Sequence, residues 1–430
     1  MTRINNTAIL TCILIFIALI FLLRLRNRYV SEDAGDSEGY NGIPINDDLA
    51  PPRPPILYTV EKFGEEGSQR SYAIQTEMHA DQYCIGYKFL EATETFREAD
   101  NLEPVTLATH ATSDMIDAIE NMSSLWDGPI SIGIFVDYHS SNVLEYLAEL
   151  YRCDIRFRRK MTVHFAFRRS PFQTTCPLFE LPQSNRTCPE FFASHDILRS
   201  AIVGPFQLYP SNLMRNIARK GALSDIQFIM DGDMIPSEGF AIKIKPIANE
   251  VIDGKSKKVL AIRRFETKTG NEIPRDHRKL LKSKKAHETF EFHHRFFSQG
   301  HHIENLDDWF RTSIHTEIIS TSEVAYPGYL WEVQTILHRN DPYNADYFPS
   351  RIKVMHSLIY ALCRAGYTFH VPTHVFDVHE GIKHTNTIYS KATIAHQEAY
   401  AMKIAGDRYI QEMNELYPDT LQKCGEFSMI

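Results

Sequence analysis

The sequence lacks an excess of basic charge, since 46 lysines and arginines face 54 aspartates and glutamates, for a net charge of −8. Proteins that bind nucleic acid normally present a basic face, so this balance argues against that class. No internal repeat is evident, and the absence of a Ser-His-Asp or nucleophile-elbow pattern argues against a soluble hydrolase. Because 43% of the 430 residues are hydrophobic, the composition also excludes disordered, collagen-like and coiled-coil chains.

An uncharged apolar run extends from Ala8 to Leu23. As a helix it would span roughly 24 Å, which is short for a plasma membrane but tolerable in the thinner bilayers of the ER or Golgi. Arginines follow it instead of a small-residue cleavage site, which favours an uncleaved anchor over a cleaved signal peptide. We therefore predict a cytoplasmic tail over residues 1–7, a transmembrane signal anchor over 8–23 and a flexible stem over 24–60.

Residue patterns alone leave the orientation of this anchor open. The arginines that follow the run would place the large domain in the cytosol by the positive-inside rule. The glycosylation sequons at Asn121 and Asn185, and six cysteines outside the run, favour an oxidising lumen instead. Six cysteines allow fifteen connectivities, although Cys176 and Cys188 bracket the second sequon and are candidates for a pair.

Strand-like and helix-like segments alternate from Glu103 onwards. Strict alternation of this kind predicts βαβ units and a parallel, Rossmann-like sheet. Residues 61–102 are an uncertain lead-in, and a single domain is expected over 103–430. The segments are strand runs at Val105–Thr109, Ile130–Val136 and Met161–Phe167, and helices from an N-cap at Ser113 to Trp126 and over Val143–Tyr151.

The next unit carries a short acidic motif. Pro210 suits the first turn of a helix and Gly221 suits its end. A buried strand over Ile226–Met230 then runs into Asp231 and, after one glycine, Asp233. Open α/β sheets bind ligands at the carboxyl ends of their strands. Two carboxylates at such a point can hold Mn²⁺ or Mg²⁺ against a nucleotide diphosphate, and the alternative is an acidic surface turn.

The segment Tyr209–Phe240 resembles family 49 of the glycosyltransferases, the β-1,4-glucuronyltransferase and LARGE-type enzymes. The resemblance extends from about Glu103 to Cys424 with its motifs in the same order. It implies an α/β fold of the GT-A type in a single-pass type II protein of the Golgi membrane, with the catalytic domain in the lumen. The other segments that carry it are Thr109–Thr112, Trp126–Phe135, Gly300–Trp309, Leu330–Val333 and Ala365–His384.

The resemblance also implies roles for individual residues. Asp231 and Asp233 would hold Mn²⁺, or Mg²⁺ in its place, and His379 would be the third protein ligand. Arg215 could reach a donor phosphate or remain a solvated helix arginine. The further candidates on the donor side are Thr109 and His110 for the uridine, Asn212 and Asn216 as caps or as lining of the donor pocket, and Lys383, Arg263 or Arg264 for an anionic donor sugar. Arg263 and Arg264 could equally be surface charges at the end of a strand.

Transfer with inversion, which the resemblance implies, requires one carboxylate to deprotonate the acceptor hydroxyl. Glu332 is the candidate base, and a structural glutamate is the alternative. Trp331 would stack on the acceptor sugar or fill the core. The histidine-rich segment Phe292–His302 contains no cysteine and is interpreted as an acceptor loop, with His301 at the family position, instead of a zinc site.

The expected activity is transfer from a UDP-sugar, with glucuronic acid favoured, to a glycan on a glycoprotein. The alternatives are N-acetylglucosamine transfer and an inactive glycan-binding relative that scaffolds other glycosyltransferases. Three departures from the family pattern bear on this choice. Gly232 replaces a bulkier apolar residue, the loop Tyr347–His356 has Arg351 and Lys353 where a Gly-x-Asn/Asp-Lys/Arg pattern is expected, and Phe297–Gly300 replaces a Cys-x-x-Cys.

Overall fold

The computed structural model describes residues 57–62, 69–182 and 184–429, so the predicted tail and anchor lie outside the described residues. In the part of the chain that is described, no helix combines the length and hydrophobicity needed to span a bilayer. The described strands are β1 Leu57–Lys62, β2 Gln69–Ile74, β3 Glu77–His79, β4 Tyr83–Leu90, β5 Val105–Thr112, β6 Ile130–Phe135, β7 Met161–Arg168, β8 Phe179–Pro182, β9 Ile226–Asp231, β10 Met234–Pro236, β11 Lys258–Ile262, β12 Arg264–Thr267, β13 Thr289–Glu291, β14 Thr321–Val324, β15 Gln334–His338, β16 Thr368–Pro372 and β17 Asp377–Glu380.

Helices connect these strands and cover the sheets. Two short 3₁₀ turns, Ser113–Met115 and Pro418–Thr420, accompany them. The described α-helices are α1 Ile116–Leu125, α2 Asn142–Cys153, α3 Ile155–Lys160, α4 Cys188–Ala193, α5 His195–Ser200, α6 Ser211–Gly221, α7 Phe240–Val251, α8 His277–Lys285, α9 Ser298–His301, α10 Leu306–His315, α11 Val354–Arg364, α12 Ile388–Tyr400, α13 Met402–Leu416 and α14 Leu421–Cys424.

The main sheet has the strand order β14-β16-β11-β15-β9-β5-β6-β7-β4-β3. Its centre, β9-β5-β6-β7, is parallel, as the alternation of strands and helices predicts. Antiparallel strands flank this centre, with β15 next to β9 and β4 next to β7. The sheet is therefore mixed, and the prediction of a mostly parallel sheet is wrong because it extended the pattern of the central units to the flanking strands.

A second sheet, β10-β17-β12-β13, stands directly after the acidic motif. Strand β10 is antiparallel to β17, which sets Met234 opposite His379. Strand β12 is parallel to β17, which sets Arg264 opposite Asp377. Because β10 begins one residue after Asp233, this sheet brings side chains of β12 and β17 to the end of β9. A third, three-stranded sheet has the order β1-β2-β8.

Apolar clusters pack against the main sheet and fix its central strands. One cluster packs Trp126 of the α1 C-terminus against Phe228 of β9 and Phe240 of α7, whose rings are stacked. A second cluster surrounds α11 and includes Trp309 and Trp331. Removal of these large side chains from water is the main force that holds the strands together.

One local prediction is wrong, and another is confirmed for a different physical reason. Ser113 is not the N-cap of α1, since a 3₁₀ turn intervenes and its hydroxyl donates to the carbonyl oxygen of Val203. Gly221 ends α6 as expected, but its backbone is not left-handed. A Cβ atom there would lie 2.1 Å from the ring of His164 on β7, so glycine is required by the close packing of α6 on the sheet.

The six described cysteines form three disulfides, and the candidate pair of Cys176 with Cys188 is not among them. Cys176 is bonded to Cys84 on β4, and Cys188 to Cys153 at the end of α2. Cys363 and Cys424 join α11 to α14. Cys176 and Cys188 are close in the sequence, but each lies next to a cysteine of a different element in the fold.

Candidate active site

The order of the parallel strands reverses between β5 and β9, because β6 and β7 extend from β5 on one side and β9 lies on the other. Such a point leaves a ligand-binding crevice at the carboxyl ends of the strands. His110 on β5 and Asp231 on β9 are register partners there. Their side chains lie 3.4 Å apart, from Nε2 to Oδ1. The acidic motif is therefore at the edge where the sequence predicts a site.

Cationic side chains surround the carboxylate of Asp231. The Nη2 atom of Arg215 is 2.7 Å from Oδ1, and that of Arg264 is 3.1 Å from Oδ2. Burial alone would raise the pKa of Asp231, but Arg215, His110 and Arg264 together hold it well below its ordinary value. Arg215 is 5% exposed, so the alternative of a solvated helix arginine is wrong.

Asp233 and His379 form a second pair, on the exposed side of the motif. The Nε2 atom of His379 is 3.5 Å from Oδ2 of Asp233, and its Nδ1 is 3.0 Å from the carbonyl oxygen of Gly381. A carbonyl can only accept, so Nδ1 carries a proton, and Nε2, which faces Asp233, presents a lone pair when the imidazole is neutral. Burial lowers the pKa of His379, but the contact with Asp233 outweighs it and the net shift is upward.

The predicted set of three metal ligands is only partly assembled. Across the described ranges, no group of three His, Cys, Asp or Glu side chains stands ready to hold a metal ion. Asp233 and His379 do fit a divalent cation, because a carboxylate and an imidazole whose other nitrogen is bonded to a carbonyl are a common ligand pair. Asp231 does not match its expected role as a metal ligand, since Arg215 and Arg264 contact its two oxygens.

Glu332 lies in the loop before β15, between two imidazoles. Its Oε2 is 2.8 Å from Nδ1 of His356 on α11, and its Oε1 is 3.9 Å from Nε2 of His301. Burial would raise the pKa of Glu332, but the contact with His356, together with His301 and Arg264, lowers it far below the ordinary value. Burial lowers the pKa of His301 to about 4. The candidate base is therefore a fixed carboxylate anion.

The ring of Phe292 lies between His379, on the side of the acidic motif, and His301, on the side of Glu332. Its centroid is 5.8 Å from that of His379 and 4.8 Å from that of His301. The guanidinium of Arg264 lies over the same ring, 4.0 Å from its centroid. The candidate metal ligands and the candidate base therefore belong to one site.

Several candidates on the donor side do not face a ligand. The side chain of Thr109 is fully buried within β5, so its contact with a uridine is not supported. Asn212 donates to the carbonyls of Ala345 and Val354, and Asn216 to that of Asn344. Both asparagines therefore hold the segment before α11, and the first residue of α11, against α6.

The three cations proposed for an anionic donor sugar have different environments. Arg263 is 4% exposed and donates to the carbonyls of Ile303 and Glu304, so it is structural. Arg264 is engaged with Asp231. Lys383 lies over the ring of Phe296, and burial together with repulsion from Arg351 lowers its pKa.

Two residues of the site were missed by sequence reasoning. His356 was treated only as the end of a loop that departs from the family, although its position on the buried side of a helix next to Glu332 decides its role. Phe292 is the first residue of the histidine-rich segment. It was missed because only the histidines of that segment were interpreted. Trp331 is 2% exposed and its indole N–H donates to the carbonyl of His302, which makes it a core residue.

Comparisons with known proteins agree with the resemblance of the motifs. The family model described as glycosyl-transferase for dystroglycan matches residues 104–418. The chain is 26% identical over 337 residues to β-1,4-glucuronyltransferase 1 of Bos taurus, which covers 74% of this chain and 77% of that protein. It is 22% identical to xylosyl- and glucuronyltransferase LARGE1 of Mus musculus, over 53% of this chain and 24% of that protein.

Among solved structures, TarS of S. aureus in complex with UDP-GlcNAc covers 74% of each chain at 11% identity and a TM-score of 0.34. This score is too low to establish a shared fold. The match of the family model does not depend on it, because that match spans most of the chain. The chain therefore belongs to glycosyltransferase family 49, and it is a glycosyltransferase related to glucuronyltransferases.

Proposed function

We propose that this enzyme transfers glucuronic acid from UDP-glucuronic acid to a glycan on a glycoprotein, with inversion, on a GT-A type domain that uses Mn²⁺ or Mg²⁺. The observation that carries the proposal is the pair of Asp233 and His379 beside Asp231 at the carboxyl end of β9. The strand order at this switch point supports the GT-A assignment. The names of the relatives support glucuronic acid as the donor sugar.

On the donor side, Asp233 and His379 would hold the cation, and Asp231 would complete the set if its arginine contacts rearranged. A divalent ion there supplies charge neutralisation for the departing diphosphate. Lys383 is the remaining candidate for the carboxylate of the donor sugar. Its lowered pKa reflects burial next to Arg351, and an added anion would relieve that repulsion.

On the acceptor side, Glu332 accepts the proton of the attacking hydroxyl. Its Oε2 is in contact with His356, whereas Oε1 is 3.9 Å from the nearest imidazole, so Oε1 is the freer oxygen. As the acceptor oxygen bonds to the anomeric carbon, the bond from that carbon to the diphosphate breaks on the opposite face. The proton moves from the acceptor hydroxyl to Glu332.

Of two alternative functions, the second has specific support in the structure. Transfer of N-acetylglucosamine uses the same cation and base, and it differs in needing no cation for the donor sugar. An inactive relative that binds glycan, or scaffolds other glycosyltransferases, is favoured by the engagement of Asp231 with two arginines. The altered loop that carries Arg351 and Lys353 favours it too.

We also propose a type II orientation in the Golgi membrane, with the enzyme in the lumen. Three disulfides support an oxidising compartment. Asn121 and Asn185 are both exposed, so their sequons are accessible to glycosylation. Removal of N-glycans with an endoglycosidase should increase the gel mobility of the cellular protein, and an unchanged mobility would argue for the cytosol.

Donor hydrolysis tests the proposed function directly. Full-length protein in detergent is incubated with UDP-glucuronic acid or UDP-N-acetylglucosamine, with Mn²⁺ or with a chelator, and released UDP is measured. We expect Mn²⁺-dependent release from UDP-glucuronic acid, abolished in Asp233→Asn and retained in Asp308→Asn, whose carboxylate is exposed on α10. Folded protein that releases UDP from neither donor would favour the scaffold.

A further inference from the structure

A buried carboxyl group without a hydrogen-bond partner lies beside the acidic motif. Asp377 on β17 is 0% exposed, and in the part of the chain that is described neither of its carboxyl oxygens accepts a hydrogen bond. A buried polar group without a partner costs free energy, so its presence needs a physical explanation. Asp377 precedes His379 by two residues on the same strand, so both side chains leave the same face of β17.

Arg264 stands between this carboxyl group and Asp231. It is the register partner of Asp377 across the parallel strands β12 and β17. Its Nε is 3.8 Å from Oδ1 of Asp377, which is beyond hydrogen-bond distance. This Nε also has no hydrogen-bond partner among the described residues. From Nη2, the same guanidinium donates to Oδ2 of Asp231 at 3.1 Å. One arginine therefore lies between two carboxyl groups and is hydrogen-bonded to only one of them.

The surroundings of Arg264 permit a short movement of its guanidinium toward Asp377. The guanidinium lies over the face of Phe292, 4.0 Å from the ring centroid. A ring face offers no directional hydrogen bond, so the cation can slide across it without losing this contact. A shift of about 1 Å would bring Nε within hydrogen-bond distance of Oδ1. An N–H donates to an oxygen of a carboxylate or of a neutral carboxylic acid, so the movement requires no change of protonation.

The movement would change Asp231 in a defined way. Its Oδ1 would keep the contact with Arg215, at 2.7 Å. Its Oδ2 would lose the contact with Arg264 and become available to a divalent cation. The positive charge that opposes such a cation at Oδ2 would also move away. Asp231 could therefore act as a metal ligand through one oxygen while Arg215 still holds the other.

We propose that Arg264 alternates between Asp231 and Asp377, and that Asp377 is the positioning residue that holds Arg264 when Asp231 binds a divalent cation. Asp377 then sets the metal affinity of the site without being a ligand. The proposal explains why a fully buried carboxyl group is without a partner when Arg264 contacts Asp231. It rests on the proposed function in assuming that the acidic motif binds a divalent cation.

Isothermal titration of the full-length protein in detergent with Mn²⁺ tests the role of Asp377. Asp377→Leu removes both acceptor oxygens, so Arg264 has no second position and remains on Asp231. We expect Mn²⁺ to bind at least about tenfold more weakly. Asp377→Asn keeps one acceptor oxygen and should show a smaller loss. The control is Thr335→Val on β15, which also removes a fully buried hydroxyl without a partner and should leave the affinity unchanged.

A second background separates this role from a structural one. Arg264→Met removes the competing cation, so it should bind Mn²⁺ more tightly than the native protein. In this background, Asp377→Leu should no longer change the affinity. An equal loss with and without Arg264, or native affinity in both Asp377 variants, overturns the proposal and leaves the proposed function intact.

The absence of Mn²⁺ binding has two distinct meanings. If Arg264→Met binds Mn²⁺ and the native protein does not, Arg264 stays on Asp231 and the proposal is overturned, although the motif can bind a cation. If neither protein binds Mn²⁺, the cation of the proposed function is overturned together with the movement of Arg264.

Discussion

The imidazole of His356 and the carboxylate of Glu332 are 2.8 Å apart, from Nδ1 to Oε2. The two residues come from different elements, since His356 is on α11 and Glu332 is in the loop before β15. His356 is 6% exposed, so the contact is shielded from water. His356 also ends the loop that departs from the family pattern. The departure therefore lies beside the candidate base.

Replacement of Glu332 tests its role as the base. Glu332→Gln keeps the size of the side chain but removes its ability to accept a proton. We expect transfer to acceptor to fall by about 10²- to 10⁴-fold while Mn²⁺ affinity stays unchanged, measured by initial rates and by isothermal titration. Glu323→Gln on the exposed face of β14 is the matched control. Full activity of Glu332→Gln would assign the glutamate a structural role.

Replacement of His356 tests how the base is kept ionised. His356 lowers the pKa of Glu332, so its removal in His356→Phe should raise that pKa. A base acts only when deprotonated, so the acidic limb of kcat/KM against pH should move to higher pH in the variant. His374→Phe, a histidine bonded to Thr316 away from the site, should leave the limb in place. An identical profile in His356→Phe contradicts an electrostatic role.

The position of the acidic motif at the end of a central strand could be predicted from the sequence because its signal is local. Asp231 and Asp233 follow an apolar strand directly, and the end of a strand in an α/β sheet is where ligands bind. The central strands were predicted for the same reason, since alternation of apolar strands and amphipathic helices is visible within short windows. His379 could be named as a candidate ligand only from the family resemblance, because a lone histidine at a strand end carries no signal by itself.

The other contacts of the site join segments that are distant in the sequence, and no local pattern encodes them. Arg264 follows Asp231 by 33 residues and reaches it only because the second sheet joins β12 to β17. The same limit applies to the environments of Thr109, whose side chain is buried, and Asn212, whose amide donates to backbone carbonyls. Both were placed correctly on their elements, but whether a side chain faces a ligand or a neighbouring backbone depends on what packs against it.

Replacement of Arg264 should couple stability to metal binding. Arg264 is 4% exposed, between Asp231 and the buried Asp377, whose pKa is raised by burial to about 8. Arg264→Met leaves Asp231 with less positive charge, which should cost about 3 kcal/mol of unfolding free energy. Because Mn²⁺ would supply the missing charge, we expect it to raise the Tm of this variant more than that of the native protein.

Arg263→Met is the control for this effect. Arg263 is equally buried but donates to backbone carbonyls, so its loss should lower the Tm without changing the Mn²⁺-induced shift. Thermal unfolding with and without Mn²⁺ separates the two variants. Equal Mn²⁺-induced shifts in Tm for both variants would mean that Mn²⁺ does not substitute for the positive charge of Arg264.

Substitution of Gly232 tests how the motif is held at the end of β9. A Cβ atom at this position would lie 2.7 Å from the carbonyl oxygen of His110, so Gly232→Ala must displace the motif from β5. We expect a loss of about 1–3 kcal/mol of stability and weaker Mn²⁺ binding by isothermal titration. Gly270→Ala is the control, since no atom lies within 4 Å and its cost arises only from a φ of +83°.

Unchanged Mn²⁺ affinity in Gly232→Ala would mean that close packing on His110 does not position the carboxylates. Weakened affinity would mean that the bulkier residue of the family pattern requires a wider gap between the motif and β5.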